Sequence, residues 1–346
     1  MDQFKKIILV CLKRINQERT VYSVFHLLNG KKSSQTIQDA HLFSLKKYFG
    51  ILESLPRESF DIIIRQLIEE GLIYSCREQY YFPTELGEAA LQQPNTLDEL
   101  NGWKYQRVTF LFWERLSLLI QVASNLVYNE TNYLPIQKNQ DVHRWIKILL
   151  KTSLVTKTEI GTILYQELMA CFDEKQEIDP SPLVFRLTGY QQIGLTTMQT
   201  AKKLMLDRID YELYFTNIIH YILRKICENS GRFPLLSFAL EGLMAQSELT
   251  QSSSTTKNLL HHGYSPETIA TMRNLKLSTI HDHLVEIALH HDDFSIDSYV
   301  DQSLQQEIIQ IAKSMSSRQL KVIKEKVAQA SYFQIRLVLA KFGGLL

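Results

Sequence analysis

The run GYSPETIATMRNLKLSTIHDHL, residues 263–284, leaves the chain little choice of local fold. Ser265 is a helix cap, Pro266 suits the first helical position, and Glu267 faces the positive end of the helix dipole. Ile269, Ala270 and Met272 are expected to form the inward face of that helix. Asn274 then falls where a left-handed residue ends it, a conformation asparagine tolerates better than most. Ser278 can cap a second helix, in which Thr279, Ile280, Leu284 and Ile287 make one apolar stripe. A small residue at 270, a turn residue at 274 and an aliphatic at 280 let two short helices pack closely at a steep angle. That is a helix-turn-helix.

Docked on DNA in the usual way, such a motif puts the start of its second helix into the major groove. Lys276, Ser278, Thr279 and His281 would then lie nearest phosphates or base edges, with Arg273 in support. The alternative is a helical hairpin used for packing or for holding another protein. Asp282 lies on the same face and repels phosphate. Both readings stay open on the residues alone.

The chain has 346 residues, 45% of them apolar, enough to bury sizeable cores. Its formal net charge of +1 excludes a strongly basic coater of nucleic acid, whose affinity comes from phosphate neutralisation. Any DNA contact must use local basic patches. Cys11, Cys76, Cys171 and Cys227 form no CxxC pair and read as buried small apolar residues in a reducing compartment. The apolar run Ile7–Leu12 is broken by Lys13 and Arg14, too short for a signal peptide or membrane span. A cytoplasmic, nucleoid-associated protein that does not enter membranes is expected.

Three blocks are expected: residues 1–92, 96–248 and 257–346. The Ser/Thr-rich stretch from Glu248 to Thr256 reads as a linker before the last block. The fold class is mainly α, with a winged helix and a short β-hairpin first, a helical domain in the centre, and the helix-turn-helix domain last. In the first block, Ile62, Ile63, Leu67 and Ile68 are read as facing inward on a helix that stops at Gly71. Ile73–Cys76 and Tyr80–Phe82 then pair around Arg77-Glu78-Gln79.

Three family resemblances follow from these residues. The 263–284 run, with the ending Tyr332-Phe333-Gln334-Ile335-Arg336, resembles the helix-turn-helix domain at the tails of some RecQ-type helicases. LNGKKSSQTI (28–37), LKKYFG (45–50), FDIIIRQLIEEGLI (60–73) and TELG (84–87) are similar in order to the winged-helix (RQC) domain of RecQ helicases. The whole chain resembles the YpbB family of Gram-positive bacteria, whose members are usually encoded beside a RecQ-type helicase. By the resemblance to the RecQ winged helix, Lys31, Lys32, Ser33, Ser34 and Gln35 are expected to contact the DNA backbone. Tyr80 or Tyr81 acts as a hairpin wedge that stacks on a terminal base pair, unless both tyrosines only close the hairpin against the core. Lys31-Lys32 at a helix N-terminus is where phosphate is welcome.

The chain lacks the motor of those helicases. No G-x-x-x-x-G-K-[ST] loop occurs, and Asn29-Gly30-Lys31-Lys32 has neither the upstream glycine nor the hydroxyl residue after the lysine. The cysteines are too few for the helicase zinc module. His281 and His283 point to nearly opposite faces of a helix, and His290-His291-Asp292-Asp293 falls where the helix ends, so no metal site is expected. No cofactor, small-molecule ligand or catalytic residue is read. The leading expectation is a non-catalytic DNA-binding partner of a RecQ-type helicase in repair or replication, acting on duplex or forked DNA. The alternatives are an adaptor that docks on the helicase without touching DNA, and, ranked lower, a transcriptional regulator. The middle block, with apolar stripes through Phe110–Trp113, Trp145–Leu149 and Tyr211–Ile219, is expected to supply core, some of it a docking surface.

Overall fold

The computed structural model describes residues 2–93, 96–152, 156, 159–173, 178–244, 249–315 and 320–343. Helices dominate, and the one sheet among the described residues is a two-stranded hairpin. The chain divides into two compact units: a middle unit of residues 1–4 with 94–246, and a terminal unit of residues 5–93 with 247–346. The first and last blocks of the sequence therefore share one unit.

The N-terminal part of the terminal unit runs α1 (Gln3–Ile15), α2 (Val21–Leu28), α3 (Ser34–Leu42), α4 (Arg57–Glu69), β1 (Ile73–Arg77), β2 (Tyr80–Pro83) and α5 (Glu85–Leu91). Phe60, Ile64 and Leu67 form the buried face of α4. At 100° per residue this stripe leaves Ile63 and Ile68 on its flanks and Ile62 on the far side. Ile62 and Ile68 are accordingly exposed and Ile63 is half-buried, which corrects the inward face expected from the sequence. Gly71, at φ +68°, turns the chain out of α4 and into the hairpin. There Tyr74 lies opposite Phe82 and Ser75 opposite Tyr81, with a bulge before Arg77 pairs with Tyr80. Gly87 lies so close to the hairpin that a Cβ would stand 2.2 Å from the Leu72 carbonyl oxygen.

The middle unit consists of α6 (Gly102–Val127), α7 (Gln140–Thr152), α8 (Ile160–Asp173), α9 (Ser181–Val184), α10 (Thr197–Lys203), α11 (Arg208–Glu228) and α12 (Pro234–Leu240). Its core includes Phe112, Trp113, Trp145, Leu149, Ile218 and Ile219, while Phe110 and Ile148 of the same sequence stripes are exposed. By length and composition α6 is apolar enough to cross a membrane, yet 61% of its most apolar window is buried against this core. Polar groups are built in with partners. His220 Nδ1 accepts the Asn101 N–H at 2.9 Å, so Nε2 carries the proton and donates to Thr109 Oγ1 at 3.0 Å. Buried Glu167 accepts from the N–H groups of Leu235 and Leu236, both at 2.9 Å, at the start of α12.

The C-terminal part of the terminal unit runs α13 (Gln251–His261), α14 (Pro266–Met272), α15 (Leu277–His290), α16 (Gln302–Ser314), α17 (Leu320–Lys326) and α18 (Tyr332–Phe342). Of the stretch read as a linker, residues 251–256 are the start of α13, and Glu248 lies outside the described residues. Thr250 caps α13, and Ser253 and Thr256 are fully buried. Their hydroxyls are answered from α15: Ser253 Oγ donates to Glu286 at 2.6 Å, and Thr256 Oγ1 bonds His283 Nδ1 at 2.8 Å. Hydroxyls with buried partners cost little to bury, which explains why a locally linker-like composition folds.

The helix-turn-helix forms as expected in outline. Ser265 caps α14 by accepting the Thr268 N–H, Asn274 takes φ +50°, and Ile269, Ala270, Ile280, Leu284 and Ile287 are buried. Two details differ. Met272 is exposed, because at about 100° per residue it lies nearly opposite the buried Ala270. The second helix begins at Leu277 with Lys276 in the capping position, so Ser278 lies inside its first turn and caps nothing. One face of α15 packs on α13 and α14, and other faces pack on α3 and α18.

Candidate nucleic-acid interface

Gly30, at φ +65°, ends α2 and turns the chain toward α3. Lys31 and Lys32 follow, both exposed, and Ser33 caps α3 by accepting the Thr36 N–H at 3.2 Å. Ser34 is half-buried and Gln35 exposed. The two lysines thus sit just ahead of unpaired helix N–H groups, an arrangement that favours an anion.

Behind this shoulder α3 meets the helix-turn-helix. Ser34 Oγ donates to Asp282 Oδ1 at 3.1 Å, and Arg336 Nη1 stands 2.7 Å from the same carboxylate. The Arg336 guanidinium also donates to Ser34 Oγ and, at 3.1 Å, to Gln38 Oε1. Asp282 is therefore neutralised within the fold and does not face an incoming phosphate alone. On α3, Asp39 is held by Arg19 at 3.0 Å; burial keeps its carboxyl above the usual range, and Arg19 offsets only part of that.

These contacts floor a groove of about 540 Å3. Its walls come from α3, the hairpin, the chain before α2, and α15, α17 and α18. Arg77 and Tyr80 of the hairpin line it, with the guanidinium 3.6 Å from the ring centroid, and Lys321 of α17 lines it too. The lining carries four cations (Arg19, Arg77, Lys321, Arg336) against two carboxylates (Glu18, Asp282), an excess of positive charge. Tyr81 faces Ser75 across the hairpin and does not line the groove.

The helix-turn-helix residues divide. Lys276 and Ser278 are exposed at the start of α15, and Thr279 is half-buried beside them. His281 stacks on Phe333 at 3.8 Å, and burial, with Arg336 nearby, pushes its pKa down, so it is neutral at neutral pH. Arg273 turns inward and donates to the Ser252 carbonyl at 2.8 Å and to the Ser252 and Thr256 hydroxyls. Because Thr256 Oγ1 accepts from Arg273, its own proton goes to His283 Nδ1. Burial lowers the His283 pKa first, and Arg273 adds to it. The two histidines therefore point to different neighbours, and among the described residues no cluster of histidine, cysteine or carboxylate could hold a metal ion.

Sequence reading missed Gln38, Arg77, Lys321 and the role of Arg336. Arg336 stood in plain view in the C-terminal ending, but nothing local linked it to Asp282. Family models match both ends of the chain: an RQC domain over residues 2–98 and a helix-turn-helix domain over residues 252–339. Both modules are binding domains of a nucleic-acid- or helicase-associated kind. The chain is 34% identical to protein YpbB of Bacillus subtilis (strain 168) over 351 aligned positions, covering 99% of this chain and 98% of that protein. No solved structure matches.

Proposed function

This chain belongs to the YpbB family, and from that premise we propose that it is a non-catalytic DNA-binding partner of a RecQ-type helicase, acting in trans on duplex or forked DNA in repair or replication. The observation that carries the reading is the sharing of one compact unit by the RQC module and the helix-turn-helix module, without a motor. The contact residues in this reading are Lys31, Lys32, Ser33, Ser34 and Gln35 on the α3 shoulder, and Lys276, Ser278 and Thr279 at the start of α15. Lys31 and Lys32 supply charge, and the α3 N–H groups supply donors. Tyr80, beside Arg77, is the better placed of the two hairpin tyrosines to meet a base.

A second reading has its own support. Arg273 and His281 are committed to internal partners. A helix-turn-helix whose arginine and histidine both turn inward suits a scaffold that docks on the helicase. Titration of forked and duplex DNA at several salt concentrations, with and without the helicase, separates the two. Under the first reading affinity falls with salt, and Lys31→Glu with Lys32→Glu weakens it while flattening the salt slope by roughly one unit for each phosphate no longer neutralised. Tight helicase binding with no DNA affinity at any salt removes the first reading and leaves the scaffold.

A further inference from the structure

The groove walled by α3, the hairpin, α15, α17 and α18 is a built cleft with a donor waiting in it. Gln38 is 6% exposed and lines the groove. Its Oε1 is taken by Arg336, but its Nε2 is buried without a hydrogen-bond partner. Buried amide donors are nearly always satisfied, so an orphan on a residue that lines a cleft marks where a small turn of the side chain would meet an acceptor supplied from outside. The neighbours define that acceptor. Among the described residues no carboxylate pairs with Arg77 or Lys321, while Arg19 and Arg336 are already matched by Asp39 and Asp282. An anionic ligand with a flat ring fits this set: anion for Lys321 and Arg77, acceptor for the Gln38 amide, ring for the Arg77–Tyr80 stack.

Size narrows the choice. A cleft of about 540 Å3 falls in the range that encloses a drug-sized ligand, roughly 300–1,000 Å3, which is room for about one or two nucleotides and not for a duplex. We propose that this groove binds a single-stranded nucleic-acid segment, one base against Tyr80 and Arg77, with the adjoining phosphate between Lys321 and the Gln38 amide. The proposal rests on the nucleic-acid reading above and deepens it: the α3 shoulder grips duplex backbone, and the groove receives the strand that leaves the duplex. A site of this kind needs both modules, since Gln38 and Tyr80 come from the first and Lys321 and Arg336 from the second.

The test uses the full chain and fluorescence anisotropy with three labelled probes: a single-stranded oligonucleotide, the same sequence as a blunt duplex, and a fork. Lys321→Glu is an exposed change, and Gln38→Glu keeps the acceptor for Arg336 while replacing the orphan donor. Each is expected to weaken single-strand binding at least tenfold and blunt-duplex binding less than twofold, with the fork in between. Lys31→Glu with Lys32→Glu should show the opposite ranking. If Lys321→Glu and Arg77→Glu leave single-strand affinity within twofold while the Lys31/Lys32 pair remains essential, the groove proposal falls and the DNA-binding reading stands. If the unaltered protein binds none of the probes, both fall together. Loss of helicase binding in Lys321→Glu, with single-strand affinity unchanged, also overturns it and makes the groove a protein-docking site.

Discussion

Asp282 and Glu286 are one helical turn apart on α15 and meet different fates. Asp282 remains 39% exposed at its side chain and is paired with Arg336. Glu286 is buried and accepts from the Thr250 N–H, the Thr250 hydroxyl at 3.0 Å and the Ser253 hydroxyl at 2.6 Å. A buried carboxylate with three donors is a structural anchor, because removing it orphans every donor at once. Glu286→Ala should therefore cost about 2–3 kcal/mol of stability, read as a lower urea midpoint with an unchanged slope. Asp282→Asn keeps an acceptor for Ser34 and Arg336 and should cost under about 1 kcal/mol in the same measurement. Equal losses in the two variants would show that the anchor lies elsewhere.

At the scale of elements, the hairpin is held by a close approach that only glycine allows. Thr84 Oγ1 accepts the Gly87 N–H at 3.1 Å and donates to the Gly71 carbonyl at 2.6 Å, closing α5 onto the end of α4. A methyl group at 87 would meet backbone, which cannot swing aside as a side chain can. Gly87→Ala should cost about 1–3 kcal/mol and release the β1–β2 amides to faster hydrogen exchange, ahead of those of α4. Because Arg77 and Tyr80 ride on this hairpin, the same variant should weaken single-strand binding more than duplex binding. Helix α13 makes a related point about legibility. Its Ser/Thr composition argued for a linker, and α15 supplied the partners that made it a helix.

For the whole molecule, many buried groups contribute to the response to acid, and two of them in the middle unit act in opposite directions. Burial lowers the His220 pKa to about 3 from its ordinary 6.5, so the folded state keeps it neutral while the unfolded chain takes up a proton below pH 6.5. Stability is lost as the pH falls from 6.5 toward 3. Asp210 acts in the opposite direction. It accepts the Phe4 N–H at 2.8 Å and the Gln3 N–H at 3.1 Å, yet burial raises its pKa to about 6. Its contribution is full below its unfolded value near 3.8 and is lost as the pH rises through 6. Between pH 6 and 4 the two slopes oppose each other, so the pair should give a small loss near pH 6.5, a plateau, and a second loss below about pH 4. Asp210→Asn should convert the plateau into a continuous fall, measured as melting temperature against pH. A plateau that survives in Asp210→Asn would show that another group compensates His220.

The sequence alone determined the elements whose signals lie within one or two turns: the Ser265-Pro266-Glu267 start and Asn274 stop of the helix-turn-helix, the Gly71 turn, and the hairpin around Gln79, which takes φ +63°. These are local because caps, left-handed turns and hairpin loops are settled by neighbouring residues. It also placed Lys31 and Lys32 on an exposed helix start. The inward face of α4 was harder, since a run of three isoleucines offers several stripes and only the position of Phe60 in the packed core selects one. Tertiary structure decided the rest. Arg336 and Gln38 are 298 residues apart in sequence, and Ser34 and Asp282 are 248 apart. Side-chain pairing at that separation depends on how whole helices dock, so only the fold could pair Asp282 with Arg336, leave the Gln38 amide without a partner, and build a groove from two ends of the chain.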